Sequence, residues 1–331
     1  MKNIILIDTP TPSNWEFIEK IKIKTKLKWE IRYKEGRLST PRFKRIYNYI
    51  TFPLTTLWKV KLKYVIAWQQ FYGLFLVLYN KLCPIQKDLS VVIMTFIYKK
   101  RKGIIGYLYY KFIYYILESK SLQKLVVFSK NEINYYSKIF PKVKAKFEYV
   151  PLGIGTITGV YQDNDLNKQK YIFTAGSSNR DYKFLISSIN QTNYNLKIAC
   201  TGLDISHGNN IEILHGIHGQ AMFQYLYNAH IVVIPLQDLE ISSGQLMILQ
   251  ALQLGKPIIV TNNKGVYDYI LNKQTGFIIP NTYNKLIQTI DLLYQDSELY
   301  NKISNAQKAY FKDHFSIEKL GENIANIIQM I

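Results

Sequence analysis

The sequence predicts an α/β protein of two doubly wound domains, each with a parallel sheet covered by helices. Three observations support this fold class. The 331 residues exceed what one hydrophobic core usually supports, short apolar runs alternate with helical patterns, and one cluster of turn residues divides the chain. The only cysteines, Cys83 and Cys200, lack disulfide, zinc or redox spacing, so no disulfide framework or metal site is expected.

The first predicted domain spans residues 1–152. Its apolar runs predict strands at 4–8, 64–68, 89–95 and 125–129. The first run is too short for a signal peptide, and the longest uncharged stretch, 64–80, is shorter than the roughly 20 residues that a membrane span needs. We therefore expect no export signal and no transmembrane helix. A Tyr-rich amphipathic helix is predicted at 104–117, directly after the basic run 99–102.

The second predicted domain, 153–315, follows turn residues at 151–155 and a polar linker that runs to residue 170. Strands are predicted at 171–175, 196–201, 231–236 and 258–261. An apolar helix at 245–254 follows Ser242, Ser243 and Gly244, and Gly255 and Pro257 terminate it. The last segment, 316–331, has a helical stripe of Ile and Leu and must pack on another part of the chain.

The charge of the protein is concentrated in its first half. Residues 1–150 hold 29 Lys and Arg against 9 Asp and Glu, a net of +20, whereas the remainder holds 13 against 14, a net of −1. This asymmetry predicts a polyanionic partner for the first domain, either anionic lipid headgroups or nucleic acid. A Lys-rich surface arising from AT-biased codon use is the alternative, but it does not explain why the excess is confined to one half.

Two loops of the second domain combine a strand end, small residues and a helix start. The first contains Gly176, Ser177 and Arg180, and the second spans 241–245. Backbone N–H groups and the helix dipole at such positions bind phosphate, and the Arg guanidinium adds a forked cation. The pair is therefore predicted to hold a diphosphate, although for either loop taken alone an ordinary capped turn is the favoured interpretation.

Residues 176–182, the 231–236 strand with Pro235, the segment 242–257 and the turn 276–280 resemble the donor-binding domain of GT-B glycosyltransferases. The resemblance is to bacterial transferases of capsule and lipopolysaccharide synthesis. It implies two Rossmann-like domains that face a cleft, with the C-terminal helix packing back on the first domain. It further implies hexosyl transfer from a nucleoside-diphosphate sugar to a lipid-linked or polysaccharide acceptor, without a metal or another cofactor. The basic first half of the chain adds the expectation of a peripheral protein at the cytoplasmic membrane face.

The resemblance also assigns roles to individual residues. It implies that Arg180 binds the pyrophosphate and that Ile217 and His218 lie beside the base. Ser242 and Gln250 occupy positions where many such enzymes have two Glu residues that contact the sugar and the ribose. This departure leaves the identity of the sugar and the base open. The catalytic candidates are Arg180 and, for an inverting reaction, Asp8 as the base, although a turn-forming role for Asp8 is the more expected reading.

Two other functions stay open at this point. A nucleotide-sugar epimerase would use the same donor domain on a soluble substrate, and its first domain would not need a charge of +20. A non-catalytic protein that binds a membrane or nucleic acid through the first domain is favoured by Ser242 and Gln250. Nucleic acid is not expected as a partner, because no recognised binding motif is present.

Overall fold

Each half of the chain folds around a parallel sheet with helices on its faces. A computed structural model describes residues 1–36, 40–159, 169–238 and 242–331. The described residues divide into one unit of Met1–Val150 with Glu318–Ile331 and a second unit of Pro151–Ile317. Ile241 of the second predicted loop and residues 160–168 of the predicted linker lie outside the described ranges.

The sheet of the first unit has six strands in the order β2-β1-β3-β4-β5-β6. All of their pairings are parallel. The strands are β1 Lys2–Ile7, β2 Trp29–Tyr33, β3 Leu62–Ala67, β4 Ser90–Ile93, β5 Leu122–Val127 and β6 Phe147–Tyr149. The helices are α1 Glu16–Thr25, α2 Arg42–Lys59, α3 Gln70–Leu82, α4 Gly103–Leu117 and α5 Lys130–Ile139. A short 3-10 helix, Pro141–Lys146, precedes β6.

The second unit repeats the arrangement in the order β12-β11-β10-β7-β8-β9, again with parallel pairings throughout. Its strands are β7 Tyr171–Ala175, β8 Asn195–Ala199, β9 Ile211–Leu214, β10 Ile231–Ile234, β11 Ile258–Thr261 and β12 Phe277–Ile279. Its helices are α6 Tyr182–Ile189, α7 Gly219–Asn228, α8 Gln245–Leu254, α9 Tyr283–Gln295 and α10 Ser297–His314. The predicted α/β architecture of two doubly wound domains is confirmed.

The last helix, α11 Ile317–Met330, packs against α1 of the first unit. Gly321 permits this contact, because a Cβ atom there would lie 2.6 Å from the carbonyl oxygen of Phe17. An ion pair of 2.7 Å joins Glu322 to Lys24, and the side-chain amide of Gln329 donates to the Lys24 carbonyl oxygen at 2.8 Å. The chain therefore leaves the first unit after β6 and returns to it with its last helix. No helix in the described ranges combines the length and apolar character that a membrane span requires.

Candidate functional site

Three neighbouring strands of the second unit end at the same edge of its sheet. β7, β10 and β11 lie side by side and run parallel, so the loops that follow them meet at their carboxyl ends. This edge is where open α/β sheets bind ligands. Both predicted phosphate-binding loops lie here. The amide of Asp181 donates to the Pro235 carbonyl oxygen at 2.8 Å, which fastens the loop after β7 to the end of β10.

Arg180 lies between the two predicted loops. Its Nε atom donates to the Ala175 carbonyl oxygen at 3.3 Å, and one terminal nitrogen donates to the Ser178 carbonyl oxygen at 2.9 Å. The other terminal nitrogen lies 3.1 Å from the position that a Cβ atom would occupy on Gly176, and 3.8 Å from the same position on Gly244. The sequence therefore brings Gly176, Arg180 and Gly244 together, and a larger residue at Gly176 would collide with the guanidinium.

The guanidinium of Arg180 has no acidic partner among the described residues. Burial lowers the pKa of Arg180 from its ordinary value, and the neighbouring Tyr182 and Cys200 partly oppose this change. Tyr182 is itself buried, which raises its pKa to about 12, and its hydroxyl donates to the Gly176 carbonyl oxygen. A half-buried cation that is held by two carbonyl oxygens retains free N–H donors and an uncompensated charge, and both favour the binding of an anion.

Asn179 ties the first loop to the second. Its amide nitrogen donates to the Ser243 hydroxyl at 2.7 Å, and its amide oxygen accepts from the backbone N–H of Asp238 at 2.7 Å. The backbone of Asn179 is left-handed, with φ of 52°, a conformation that Asn adopts more readily than most residues. These bonds fix the second loop relative to Arg180, so the site is preorganised before a ligand binds.

The loop after β11 completes the site. Asn263 is 1% exposed, donates to the Asp238 carbonyl oxygen at 2.6 Å and accepts from the Gly265 amide at 2.8 Å. A Cβ atom on Gly265 would lie 2.5 Å from the Ser242 hydroxyl oxygen, so only glycine fits there without displacing Ser242. The Ser242 hydroxyl also accepts from the Gln245 side chain.

Helix α8 begins at Gln245 without a side-chain cap, and its N-cap residue Gly244 has a left-handed φ of 85°. The first-turn N–H groups of α8 are therefore not satisfied by a capping side chain. This end of the helix lies beside Arg180 and adds the positive end of a helix dipole to the same place. Ser177, which follows Gly176 in the first loop, is exposed.

The predicted base-binding residues lie farther along the same edge. Ile217 and His218 follow β9, which is two strands away from β7, and the Gly216 amide donates to the Thr201 hydroxyl at 3.3 Å. His218 is exposed, whereas Ile217 is half-buried against the core. Gln250 lies within α8 and is only 6% exposed. Of the predicted binding residues it is the least accessible to a ribose hydroxyl.

Asp8 follows β1 in the first unit. Its side chain lies against Gly36, where a Cβ atom would be 3.0 Å from that of Asp8, and its charge contributes to raising the pKa of Tyr72, which is raised chiefly by burial. The Asp8 carboxylate accepts no hydrogen bond from the turn that follows it within the described residues. The turn-forming role therefore finds no support in the side-chain contacts.

Sequence reasoning placed Asn179 in the first loop without giving it a role, and it missed Asn263 and Gly265 as parts of the site. Their contacts join three loops that are far apart along the chain, and no local pattern encodes such a network. The run Asn262-Asn263-Lys264-Gly265 directly after a buried strand was the available signal. Within the described ranges, no three His, Cys, Asp or Glu side chains are grouped closely enough to hold a metal ion.

Comparison with known families and structures is consistent with this geometry. Residues 168–310 match the family model of the glycosyl transferases group 1, which covers the described strands and loops of the site. The structure also matches that of a glycosyltransferase from Rickettsia africae, with a TM-score of 0.67 at 15% identity over 99% of this chain and 98% of that one. The chain has the fold of the GT-B glycosyltransferases.

Other GT-B structures match along their whole length. HepE from Anabaena in complex with UDP matches with a TM-score of 0.66 at 12% identity, covering all of both chains. WaaG, a glycosyltransferase involved in lipopolysaccharide biosynthesis, matches with a TM-score of 0.63 at 14% identity, over 98% of this chain and 99% of that one. No curated protein matches the sequence. At these identities the structural matches establish the GT-B fold, and the group 1 match lies within the second unit.

Proposed function

We propose that the protein transfers a hexosyl group from a nucleoside-diphosphate sugar to a lipid-linked glycan acceptor. The proposal that the donor is a nucleoside-diphosphate sugar rests on one observation. Arg180 is a half-buried cation with free N–H donors and no acidic partner in the described residues, and it lies between Gly176 and the uncapped N-terminus of α8. Two loops with a cation between them match the two phosphoryl groups of a nucleoside diphosphate.

The chemistry follows from the leaving group. Transfer breaks the bond between the anomeric carbon and the diphosphate oxygen, forms a bond from that carbon to an acceptor oxygen, and releases the acceptor proton. Negative charge grows on the diphosphate as its bond breaks, so Arg180 and the α8 N–H groups stabilise the transition state more than the bound donor. In an inverting reaction Asp8 takes the acceptor proton, whereas a retaining reaction needs no such base.

Related structures support a nucleotide-sugar donor. HepE is described in complexes with UDP and with UDP-glucose, and its chain matches this one from end to end. We extend the class of ligand, a nucleoside-diphosphate sugar, to this protein, with Ile217 and His218 beside the base. Residues such as Ser242, which stands where the resemblance leads one to expect a Glu, are proposed to determine which sugar and base the donor carries.

The acceptor side of the proposal rests on the first unit. The net charge of +20 on residues 1–150 attracts an anionic leaflet, and two helices of this unit present apolar residues to solvent. The exposed apolar residues on α2 are Phe43, Ile46, Tyr47, Ile50, Leu54 and Trp58. The exposed apolar residues on α4 are Ile104, Ile105, Tyr107, Leu108, Phe112 and Tyr115. We propose peripheral binding at the cytoplasmic face of the membrane, in the assembly of a capsule or lipopolysaccharide.

A donor-binding experiment tests the assignment of the site. The full chain is screened by thermal unfolding against UDP-, GDP- and ADP-sugars, because a ligand that binds the folded state raises the melting temperature. Arg180→Ala should weaken binding of the selected donor by about 1.5 to 3 kcal/mol, the usual value of a hydrogen bond to a charged group. The control is Lys183→Ala, which removes an exposed cation from the adjacent helix α6.

Two outcomes contradict the assignment. The first is that no nucleotide sugar changes the melting temperature of the unaltered protein. The second is that Arg180→Ala and Lys183→Ala have the same affinity as the unaltered protein, which would remove Arg180 from the donor site.

A further inference from the structure

The first unit contains a pocket of about 860 Å³ at the start of α4. Four cations line it, namely Lys100, Arg101 and Lys102 before the helix and Lys138 near the end of α5. No acidic residue lines the pocket, and none of these four cations forms a salt bridge within the part of the chain that the structure describes. The pocket therefore has a positive potential that no protein group neutralises.

A stack of aromatic rings fixes the position of one of these cations. The Arg101 guanidinium lies 4.4 Å from the centre of the Tyr109 ring, and the Tyr109 ring stacks on Tyr98 with centroids 5.5 Å apart and an angle of 7°. Gly106 in the first turn of α4 allows this approach, because a Cβ atom there would overlap the Arg101 carbonyl group. The backbone at Arg101 is thus held against the helix, and the cation is held over the Tyr109 ring.

Tyr98 provides a hydroxyl group without a partner. Its side chain is only 3% exposed, and it packs edge-on to Phe140 at 5.0 Å. Yet it lines the pocket, and its hydroxyl makes no hydrogen bond to any residue of the described ranges, although its own backbone N–H donates to Tyr136. The ring of Tyr98 is buried while its unpartnered hydroxyl borders the pocket, so this hydroxyl can donate a hydrogen bond to a ligand there.

The surface beside the pocket is apolar. Ile104, Ile105 and Leu108 on the first two turns of α4 are 80%, 76% and 60% exposed. Large apolar side chains that are exposed together on one helix mark a surface that contacts another molecule. The cationic pocket and the apolar helix surface adjoin, so an amphiphile with an anionic head and an apolar tail matches both.

We propose that this pocket binds the phosphoryl headgroup of a membrane lipid, with Tyr98 donating a hydrogen bond to a phosphate oxygen, the four cations neutralising its charge and the exposed face of α4 contacting the lipid chain. The inference extends the proposed function, since it gives the acceptor side a defined site for a phosphate-linked lipid. A free phosphate offers the same headgroup chemistry but leaves the apolar surface uncovered.

The test uses decyl phosphate below its micelle concentration, with the full chain and isothermal titration calorimetry. Tyr98→Phe removes only the hydroxyl and leaves the net charge unchanged, so its effect differs from that of a general loss of positive charge. The matched control is Tyr115→Phe, which removes a tyrosine hydroxyl from α4 outside the pocket. Inorganic phosphate and decyl maltoside replace the ligand in two further titrations.

The proposal predicts that decyl phosphate binds and that Tyr98→Phe lowers its affinity about tenfold, as expected for a hydrogen bond to a charged group, while Tyr115→Phe keeps it. Inorganic phosphate and decyl maltoside should each bind at least tenfold more weakly. Equal affinity in Tyr98→Phe, equal affinity for inorganic phosphate, or equal affinity for the uncharged maltoside would overturn the proposal.

A second variant keeps the test independent of any one substitution. Arg101→Gln with Lys102→Gln should also weaken decyl phosphate binding, whereas Lys28→Gln with Lys61→Gln, which removes two exposed cations that do not line the pocket, should not. Donor binding is measured on every variant. Lipid binding without donor binding contradicts the proposed function alone, and donor binding without lipid binding contradicts this inference alone.

Discussion

At the scale of single residues, the proposed donor site contains some residues whose role a local sequence pattern predicts and others whose role no local pattern predicts. Gly176 and Arg180 follow directly from a local pattern, since a strand, a glycine and a basic residue stand close together along the chain. The bond from Asn179 to Ser243 joins residues 64 positions apart, and it depends on β7 and β10 being neighbours in the sheet. No local pattern in a single sequence encodes that pairing.

His230 is a half-buried residue that couples stability to pH. It stacks on Tyr300 with centroids 4.6 Å apart, and its Nε2 atom lies 3.3 Å from the Leu293 carbonyl oxygen. Burial, followed by the charge of Lys170, lowers the pKa of His230 to about 4. Because an unfolded histidine titrates near 6.5, the unfolded chain binds more protons than the folded chain between these two pH values.

The melting temperature should therefore fall as the pH decreases from about 6.5 to about 4, and this group should have no effect above that range. His230→Phe keeps the aromatic packing and removes the titration, so it should flatten the decrease by a few degrees, at roughly 2 to 4 °C per kcal/mol. Melting curves at each pH measure this. Exposed His207→Gln is the control, and a decrease as steep in His230→Phe as in that control would contradict the prediction.

At the scale of elements, the strands that the sequence predicts are the inner strands of both sheets. The eight predicted strands are all present, and the four that were missed, β2, β6, β9 and β12, are the edges of the two sheets. Inner strands of parallel sheets are buried on both faces and form continuous apolar runs. Edge strands such as β2, where Glu30 and Arg32 alternate with apolar residues, lack that pattern.

Helix α2 is amphipathic, and the side of the helix that faces solvent carries a stripe of large apolar residues. Phe43, Tyr47, Ile50, Leu54 and Trp58 recur at helical spacing and are 37% to 85% exposed. Its buried positions are Asn48, Pro53, Thr56 and Leu57. From the sequence alone, an apolar stripe on a helix predicts contact with the core, so only the structure separates this outward face from a buried one.

Binding to vesicles tests the role of α2. Phe43→Gln with Trp58→Gln should remove the apolar part of membrane binding and leave the electrostatic part, which salt screens within about 8 Å at physiological ionic strength. In flotation with anionic vesicles, this variant should lose binding as salt rises, whereas the unaltered protein keeps a salt-resistant fraction.

The control for this experiment is Ile23→Gln with Met330→Gln, which removes two exposed apolar residues from α1 and α11. This control should float like the unaltered protein. Flotation of the α2 variant that equals the control at every salt concentration would contradict membrane binding through this helix, and equal binding to neutral and anionic vesicles would contradict the electrostatic part.

At the scale of the whole molecule, the two units carry different parts of the proposed reaction. The first unit holds the entire charge excess, the exposed apolar helices and the cationic pocket, whereas the second unit holds the loops around Arg180. The sequence predicts this division because charge is a property that can be counted along the chain. The pocket depends on Tyr98, Lys138 and α4 meeting in space, which a count does not reveal.

The reaction is expected to proceed without a divalent metal. Arg180 and the uncapped N-terminus of α8 already provide positive charge where the diphosphate is proposed to bind. Transfer rates should therefore be unchanged by EDTA. Loss of activity in EDTA that manganese or magnesium restores would show that the diphosphate needs a metal ion in addition to these groups.

The most direct test of the proposed function is transfer itself. The full chain is incubated with radiolabelled nucleotide sugars and a lipid extract of bacterial membranes, and the label is then measured in the organic phase. We predict that one donor labels a lipid, that Arg180→Ala reduces the rate, and that Lys183→Ala does not. Release of free sugar without labelled lipid, or no label from any donor that the protein binds, would contradict transfer to a lipid-linked acceptor.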